Sequence, residues 1–256
     1  MSPQDAPSSL ASARGAWLEL GRASNLPTIW TNVLAGVALG GGDPGLVSTL
    51  VLIVSLSLFY TGGMFLNDAF DRAYDARFRP TRPIPSGRVR ASSVFLAGFV
   101  ALAGGFALLI AAQSLSRAVP GPQAPAFGLV LAVFIVVYDW RHKTNPVAPV
   151  MMGVCRGLVY VSAAAASAGT ALTMPVLFGA ALLVSYVTGV SLLARRESGT
   201  AGPLIVQPQT IGLLLAGISL LDAVIIASLT WRIGWAIAAL GGMVLTRALQ
   251  RYVPGS

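Results

Sequence analysis

The chain has 256 residues, 55% of them hydrophobic and only 10% charged, with a mean hydropathy of +0.75. Soluble domains carry about a quarter charged residues, so this composition excludes an ordinary soluble enzyme and points to a polytopic membrane protein. The net charge of +8 does not indicate nucleic acid, because the excess basic residues fall between apolar runs rather than on one basic face.

Residues 1–15 read as a flexible N-terminal tail, and 16–256 as a single membrane-embedded domain. No basic start followed by an unbroken apolar core opens the chain, so no cleavable signal is expected. Eight apolar runs follow, at roughly 26–42, 46–66, 92–113, 122–139, 147–168, 173–194, 205–229 and 232–248. Each can cross about 30 Å of hydrocarbon as a helix. None alternates apolar and polar residues with period two, which excludes a membrane barrel. Backbone groups must be satisfied inside the bilayer, so the fold class is all-α, a transmembrane bundle of about eight to nine helices.

Charge sets the orientation. Arg14, Arg22, Arg72, Arg77, Arg79, Arg82, Arg88, Arg90, Arg141, Lys143, Arg195, Arg196, Arg247 and Arg251 all lie on alternate connections. The opposite connections hold only Arg117 and Arg232, and Arg156 lies within a run. The positive-inside rule places both termini and the charged loops in the cytoplasm, as expected for a bacterial inner-membrane protein. One cysteine, Cys155, allows no intrachain disulfide and reads as a packing residue. One histidine, His142, cannot build a histidine metal site.

The second run ends in a stretch that departs from everything around it: NDAFDRAYDARFRPTRPIPSGRV, residues 67–89. Read as a helix at about 100° per residue, Asn67, Asp71 and Asp75 share a face and Asp68 lies one position around. Carboxylates crowded on one face repel unless a cation sits among them. Mg²⁺ suits such a group, taking one or two carboxylates and completing its shell with water and phosphate oxygens. The plainer reading is that Arg72 and Arg77 neutralise the aspartates on a solvated face. Carboxylates at the end of a membrane span are costly and tend to be functional, which favours the first reading. The prolines that follow forbid helix, and Arg79 and Arg82 offer planar bidentate donors to phosphate. Together these features suggest a lipid diphosphate held at the mouth of a bundle, with an apolar cavity below for its tail.

The pattern N-D-x-x-D-x-x-x-D at Asn67, Asp68, Asp71 and Asp75, followed by RPIPSG at 82–87, resembles the UbiA family of intramembrane prenyltransferases. GRASNLPTIWTN, residues 21–32, looks like that family's first helix, and YDWRHKTNPVAPVMMGVCRGLVY, residues 138–160, looks most like its EboC-like branch. The resemblance implies a helical bundle with a central cavity open sideways to membrane lipid. It implies Mg²⁺-dependent transfer of a prenyl group from a polyprenyl diphosphate to a small, possibly aromatic, acceptor. Metal would act as Lewis acid and leaving-group clamp, and a dry cavity would protect the carbocation. Carried over, Asn67, Asp68, Asp71 and Asp75 would hold the metal and Arg82 would touch diphosphate.

Several positions depart from the family pattern or leave a choice. A second aspartate-rich motif is expected after the sixth span, where this chain has SLLARRESGT, residues 191–200. Either Arg195 or Arg196 replaces the missing cation beside Glu197, or these charges only set topology, or diphosphate chemistry has been lost. The family's Tyr-x-x-x-Lys loop is one residue longer here, from Tyr138 to Lys143; Lys143 remains a diphosphate ligand, and Asp139 adds a carboxylate. Arg156 either pairs with Asp222, the acidic residue at comparable depth, or contacts diphosphate. Asn25 and Asn32 either face the acceptor or bond neighbouring helices. His142 reads as a solvated loop residue rather than a base. A non-catalytic lipid-diphosphate-binding or transport component is the rival to an enzyme; a transporter and a terpene cyclase are weaker options. Oligomeric state is not legible.

Overall fold

A computed structural model describes residues 9–117, 121–143, 145–197 and 208–253. Ten α-helices occur among them: α1 (Ser9–Leu20), α2 (Leu26–Gly40), α3 (Gly45–Phe70), α4 (Arg72–Phe78), α5 (Ala91–Leu115), α6 (Gln123–Arg141), α7 (Ala148–Ala168), α8 (Met174–Glu197), α9 (Pro208–Thr230) and α10 (Ile233–Leu249). Each of the eight apolar runs became one helix. Six, namely α3 and α5 to α9, are long and apolar enough to cross a membrane by length and composition. The other two, α2 and α10, have 15 and 17 residues, or about 22 and 26 Å at 1.5 Å per residue.

The expected tail begins in residues 1–8, which lie outside the described residues. From Ser9 the chain is helical rather than irregular. Ala16 and Leu20 of α1 are buried with Ala69, Val89 and Val94, and Trp17 packs edge-on against Phe65 at 5.2 Å. A small second core thus forms under the charged loop, and Glu19 pairs with Arg88 across it at 3.0 Å.

The bundle is built around closely packed pairs, α3 with α5, α7 with α8 and α9 with α10. Short α2 runs through the middle and meets α3, α7, α8, α9 and α10. Eleven of its 15 residues are buried, which is why an apolar helix too short for a lipid-facing span can stand there. Its approach to α7 depends on Gly36: a Cβ there would lie 2.6 Å from the Tyr160 carbonyl oxygen. Alanines 163–166 of α7, all buried, continue the same close seam, as expected where membrane helices pack through small residues. The outer faces carry exposed Leu46, Leu50, Leu96, Phe99, Leu129 and Val244. Apolar side chains displayed this widely are stable only against lipid, and the chain is an integral membrane protein.

Candidate functional site

The acidic stretch keeps a helical path through the α3–α4 junction. Asp71 N–H donates to the Asn67 carbonyl at 3.0 Å and Asp75 N–H to the Asp71 carbonyl at 2.9 Å. Asn67, Asp68, Asp71 and Asp75 therefore share one face, and all four are buried.

Tertiary contacts decide which cations meet them. Arg82 Nη1 lies 3.2 Å from Asp68 Oδ1 and 3.0 Å from Asp75 Oδ2, so these two carboxylates converge on one atom. Arg22 Nη2 approaches Asp68 at 3.6 Å. Asp71 turns instead toward the α6–α7 loop, where Lys143 Nζ is 2.9 Å and His142 Nε2 3.3 Å from its Oδ2. Arg72, expected to neutralise the aspartates, bonds the Ala69 carbonyl at 2.9 Å and covers the Phe95 ring; Arg77 is exposed. The arrangement is a buried charge network, not a solvated face. Burial pushes the Asp71 carboxyl up, but the hydrogen bonds and electrostatic attraction of His142 and Lys143 together outweigh it and hold Asp71 below the usual carboxylate range.

The loop from 79 to 90 folds as successive turns rather than helix, with Gly87 at φ +76°. Ser86 N–H donates to the Arg82 carbonyl and Val89 N–H to the Pro83 carbonyl, which fixes the backbone from which Arg82 reaches inward. Arg79, predicted to bind substrate, is exposed and outside this network.

A cavity of about 320 Å³ opens beside the network, lined at one end by Arg22, Asn25, Tyr138, Asp139, His142 and Arg195. Its walls are apolar, among them Ile29, Phe59, Leu131, Met152, Val187 and Leu215, and Arg156 sits within them. Asp68, Asp71 and Asp75 do not line it themselves. They connect to it through Arg22, which touches Asp68, and through Asp139, whose Oδ1 accepts from Asn67 Nδ2 at 3.1 Å.

Two residues at this mouth were not assigned to the site from the sequence. Arg22 was visible only as a topogenic charge, yet its guanidinium lines the cavity. It occupies the left-handed region at φ 43°, ψ 49°, a conformation that costs a non-glycine residue about 1–2 kcal/mol. Burial pulls its guanidinium toward neutrality, but Asp68 together with Tyr60, Tyr138 and Asp139 outweighs this and raises its pKa. His142, expected in solvent, has a side chain only 15% exposed, stacks on Tyr138 at 5.1 Å and bridges to Asp71. A cavity wall and a buried carboxylate are long-range neighbours that a loop sequence does not reveal.

Two contacts that the sequence left open are not made. Arg195 does not reach the aspartates: its Nη2 donates to the carbonyls of His142 at 2.8 Å and Asn145 at 2.9 Å, clasping the loop that carries Lys143. The side chains of Arg196 and Glu197 lie outside the described residues. Arg156 and Asp222 do not pair directly. Asn32 stands between them, accepting from Arg156 Nη1 at 3.0 Å and donating to Asp222 Oδ2 at 2.8 Å. Asp222 also receives the Thr31 hydroxyl at 2.5 Å and the Tyr160 hydroxyl. Both ends of its amide are engaged and none of its surface is exposed, so Asn32 bonds neighbouring helices. Asn25 lines the cavity and accepts from Gln250 at 3.3 Å.

Among the described residues, no three His, Cys, Asp or Glu side chains form a group that could hold a metal unaided. The donors nonetheless suit a cation that brings its own oxygens. They are hard carboxylates, two of them converge, and the buried Asp75 Oδ1 and Asp139 Oδ2 have no hydrogen-bond partner among the described residues. Mg²⁺ needs only one or two protein carboxylates when phosphate and water complete its octahedron.

The chain is thus a bundle of membrane helices with a buried network of carboxylates and cations beside an apolar cavity. The UbiA prenyltransferase family model matches residues 26–255, and the chain belongs to that family. It is 33% identical over 133 residues to digeranylgeranylglyceryl phosphate synthase of Methanopyrus kandleri, covering 51% of this chain and 45% of that protein. It is 37% identical over 78 residues to 4-hydroxybenzoate octaprenyltransferase of Idiomarina loihiensis, covering 30% and 26%. The matched stretches thus span less than half of either relative. Two solved structures share the fold. A digeranylgeranylglyceryl phosphate synthase structure has a TM-score of 0.59 at 16% identity, over 94% of this chain and 95% of that one. A UbiA homologue from Archaeoglobus fulgidus bound to DMAPP and Mg²⁺ has a TM-score of 0.55 at 16% identity, over 92% and 85%.

Proposed function

We propose that the chain transfers a prenyl group from a prenyl diphosphate to a small acceptor within the membrane. The observation that carries this reading is the convergence of Asp68 and Asp75 on Arg82 beside an apolar cavity, to which Arg22 and Asp139 link them. Diphosphate would bind where Arg22, Arg82 and Lys143 now balance the aspartates, each cation exchanging a carboxylate oxygen for a phosphate oxygen. Asn67, Asp68, Asp71 and Asp75, with Asp139, would hold Mg²⁺, which supplies Lewis-acid neutralisation of the departing diphosphate. The apolar walls would exclude water from the allylic cation. Tyr138 and Asn25 would flank the acceptor, and Arg195 would hold the Lys143 loop in place. The relatives' names and the DMAPP and Mg²⁺ of the A. fulgidus homologue support this reading. We place the mouth and both termini on the cytoplasmic side of a bacterial inner membrane, from the charge distribution. The closer likeness to the EboC-like branch rests on residues 138–160 alone.

The test is release of diphosphate and formation of labelled lipid from radiolabelled geranylgeranyl diphosphate, Mg²⁺ and membrane extract, compared between wild type and Asp71→Asn. Loss of both activities in the variant is expected. Wild-type protein inert in every extract would favour a non-catalytic lipid-diphosphate-binding role. The lack of an aspartate-rich stretch at residues 191–200 is what keeps that second reading in view.

A further inference from the structure

Arg156 is the strongest feature the proposed reaction leaves unexplained. It lies eight residues into α7 from Ala148, and the ring beneath it, Tyr60, lies eight residues up α3 from Asp68. Both spacings put its guanidinium about 12 Å deeper than the mouth. A charge at that depth is costly unless it is used. The residue is 8% exposed and lines the cavity.

Its hydrogen bonds are lopsided. Nη1 donates to Thr28 Oγ1 at 3.1 Å and to Asn32 Oδ1 at 3.0 Å, which uses both of its protons. Nε and Nη2 have no partner among the described residues, yet neither is a sealed buried atom. The free edge therefore opens onto the cavity. It is the edge that forms a parallel, two-bond fork with a carboxylate or phosphate. The nearest acid, Asp222, is held off by Asn32 and already receives three side-chain donors. Thr28, Asn32 and Tyr60 fix the guanidinium from three sides without neutralising it.

We propose that the Nε/Nη2 edge of Arg156 seats an anionic oxyacid group of the acceptor, a carboxylate or a phosphate, at the end remote from the acceptor's nucleophile. The cavity volume of about 320 Å³ lies at the low end of ligand pockets, so the acceptor body is compact. Anchored at Arg156, it would present its nucleophile toward the mouth, where the prenyl carbon is released. The inference rests on the prenyl-transfer reading, which puts the acceptor in this cavity.

The test is equilibrium binding to purified full-length protein in nanodiscs, with no prenyl diphosphate present. The probes are 4-hydroxybenzoate, its neutral amide, and glycerol 1-phosphate. Wild type should bind at least one anionic probe and not the amide; which anion binds separates the carboxylate from the phosphate source. Arg156→Met should weaken that binding at least tenfold, and Arg156→Lys, which keeps charge but loses the fork, should weaken it less. Met152→Trp keeps the guanidinium but fills the cavity, and should also block the probe, so the test survives if Arg156→Met does not fold. Asp71→Asn should retain probe binding while losing diphosphate release, which separates failure of this inference from failure of the reaction. Equal binding by wild type and Arg156→Met overturns the proposal. So does failure of both anionic probes to bind wild type, or loss in Arg156→Met of inorganic diphosphate binding alone.

Discussion

Arg82→Ala tests the charge network directly. Asp75 has a side chain 2% exposed, and Arg82 is its only ion-pair partner among the described residues. Its Oδ1 already lacks a hydrogen bond. Asp68 is better protected, because Arg22 remains at 3.6 Å. Removing one partner of a buried pair costs about 3–5 kcal/mol. Arg82 is itself 19% exposed, so water can enter its place, and we expect the lower end, about 3 kcal/mol. At about 2–4 °C per kcal/mol for a chain of this size, the apparent Tm falls by about 6–12 °C. Intrinsic fluorescence of the five tryptophans in detergent would follow it. The decisive measurement is the double variant Arg82→Ala/Asp75→Asn, which removes the stranded charge and should restore at least half the loss. An unchanged Tm in the single variant, or strict additivity in the double one, would refute the claim that the network balances buried charge.

Further outcomes follow from the same geometry. Asn32→Leu separates Arg156 from Asp222 and strands a donor and an acceptor in the bundle centre; thermal unfolding should show a loss of about 2–4 kcal/mol. Gly36→Val forces α2 off the Tyr160 carbonyl, costing about 1–3 kcal/mol by overpacking and broadening the size-exclusion peak. Lys143→Met removes one charge-assisted bond and should raise KM for prenyl diphosphate about tenfold with a smaller change in kcat, read by steady-state diphosphate release. EDTA should abolish that release and added Mg²⁺ should restore it; a rate indifferent to both would remove the metal from the reaction.

The eight apolar runs and the shared face of Asn67, Asp71 and Asp75 were legible because both are local properties. Hydrocarbon thickness dictates run length, and helical pitch dictates which side chains align. Boundaries came within a few residues, as for residues 92–113 against α5, Ala91–Leu115. Helix α1 was not legible. Its short, mixed sequence has no strong apolar stripe, and Ala16 and Leu20 are buried through Ala69, Val89 and Val94, which lie far along the chain.

What the sequence determined by itself was the class of fold, the face carrying carboxylates and the end of the bundle where charge collects. The tertiary structure alone decided the partners: Arg82 and Arg22 for Asp68, Lys143 and His142 for Asp71, Asn32 between Arg156 and Asp222. The physical reason is that spacing along a helix orders neighbours in one dimension, whereas charges at one membrane depth choose among several helices packed side by side. Which of them touch depends on crossings such as that of Gly36 on Tyr160, more than a hundred residues apart.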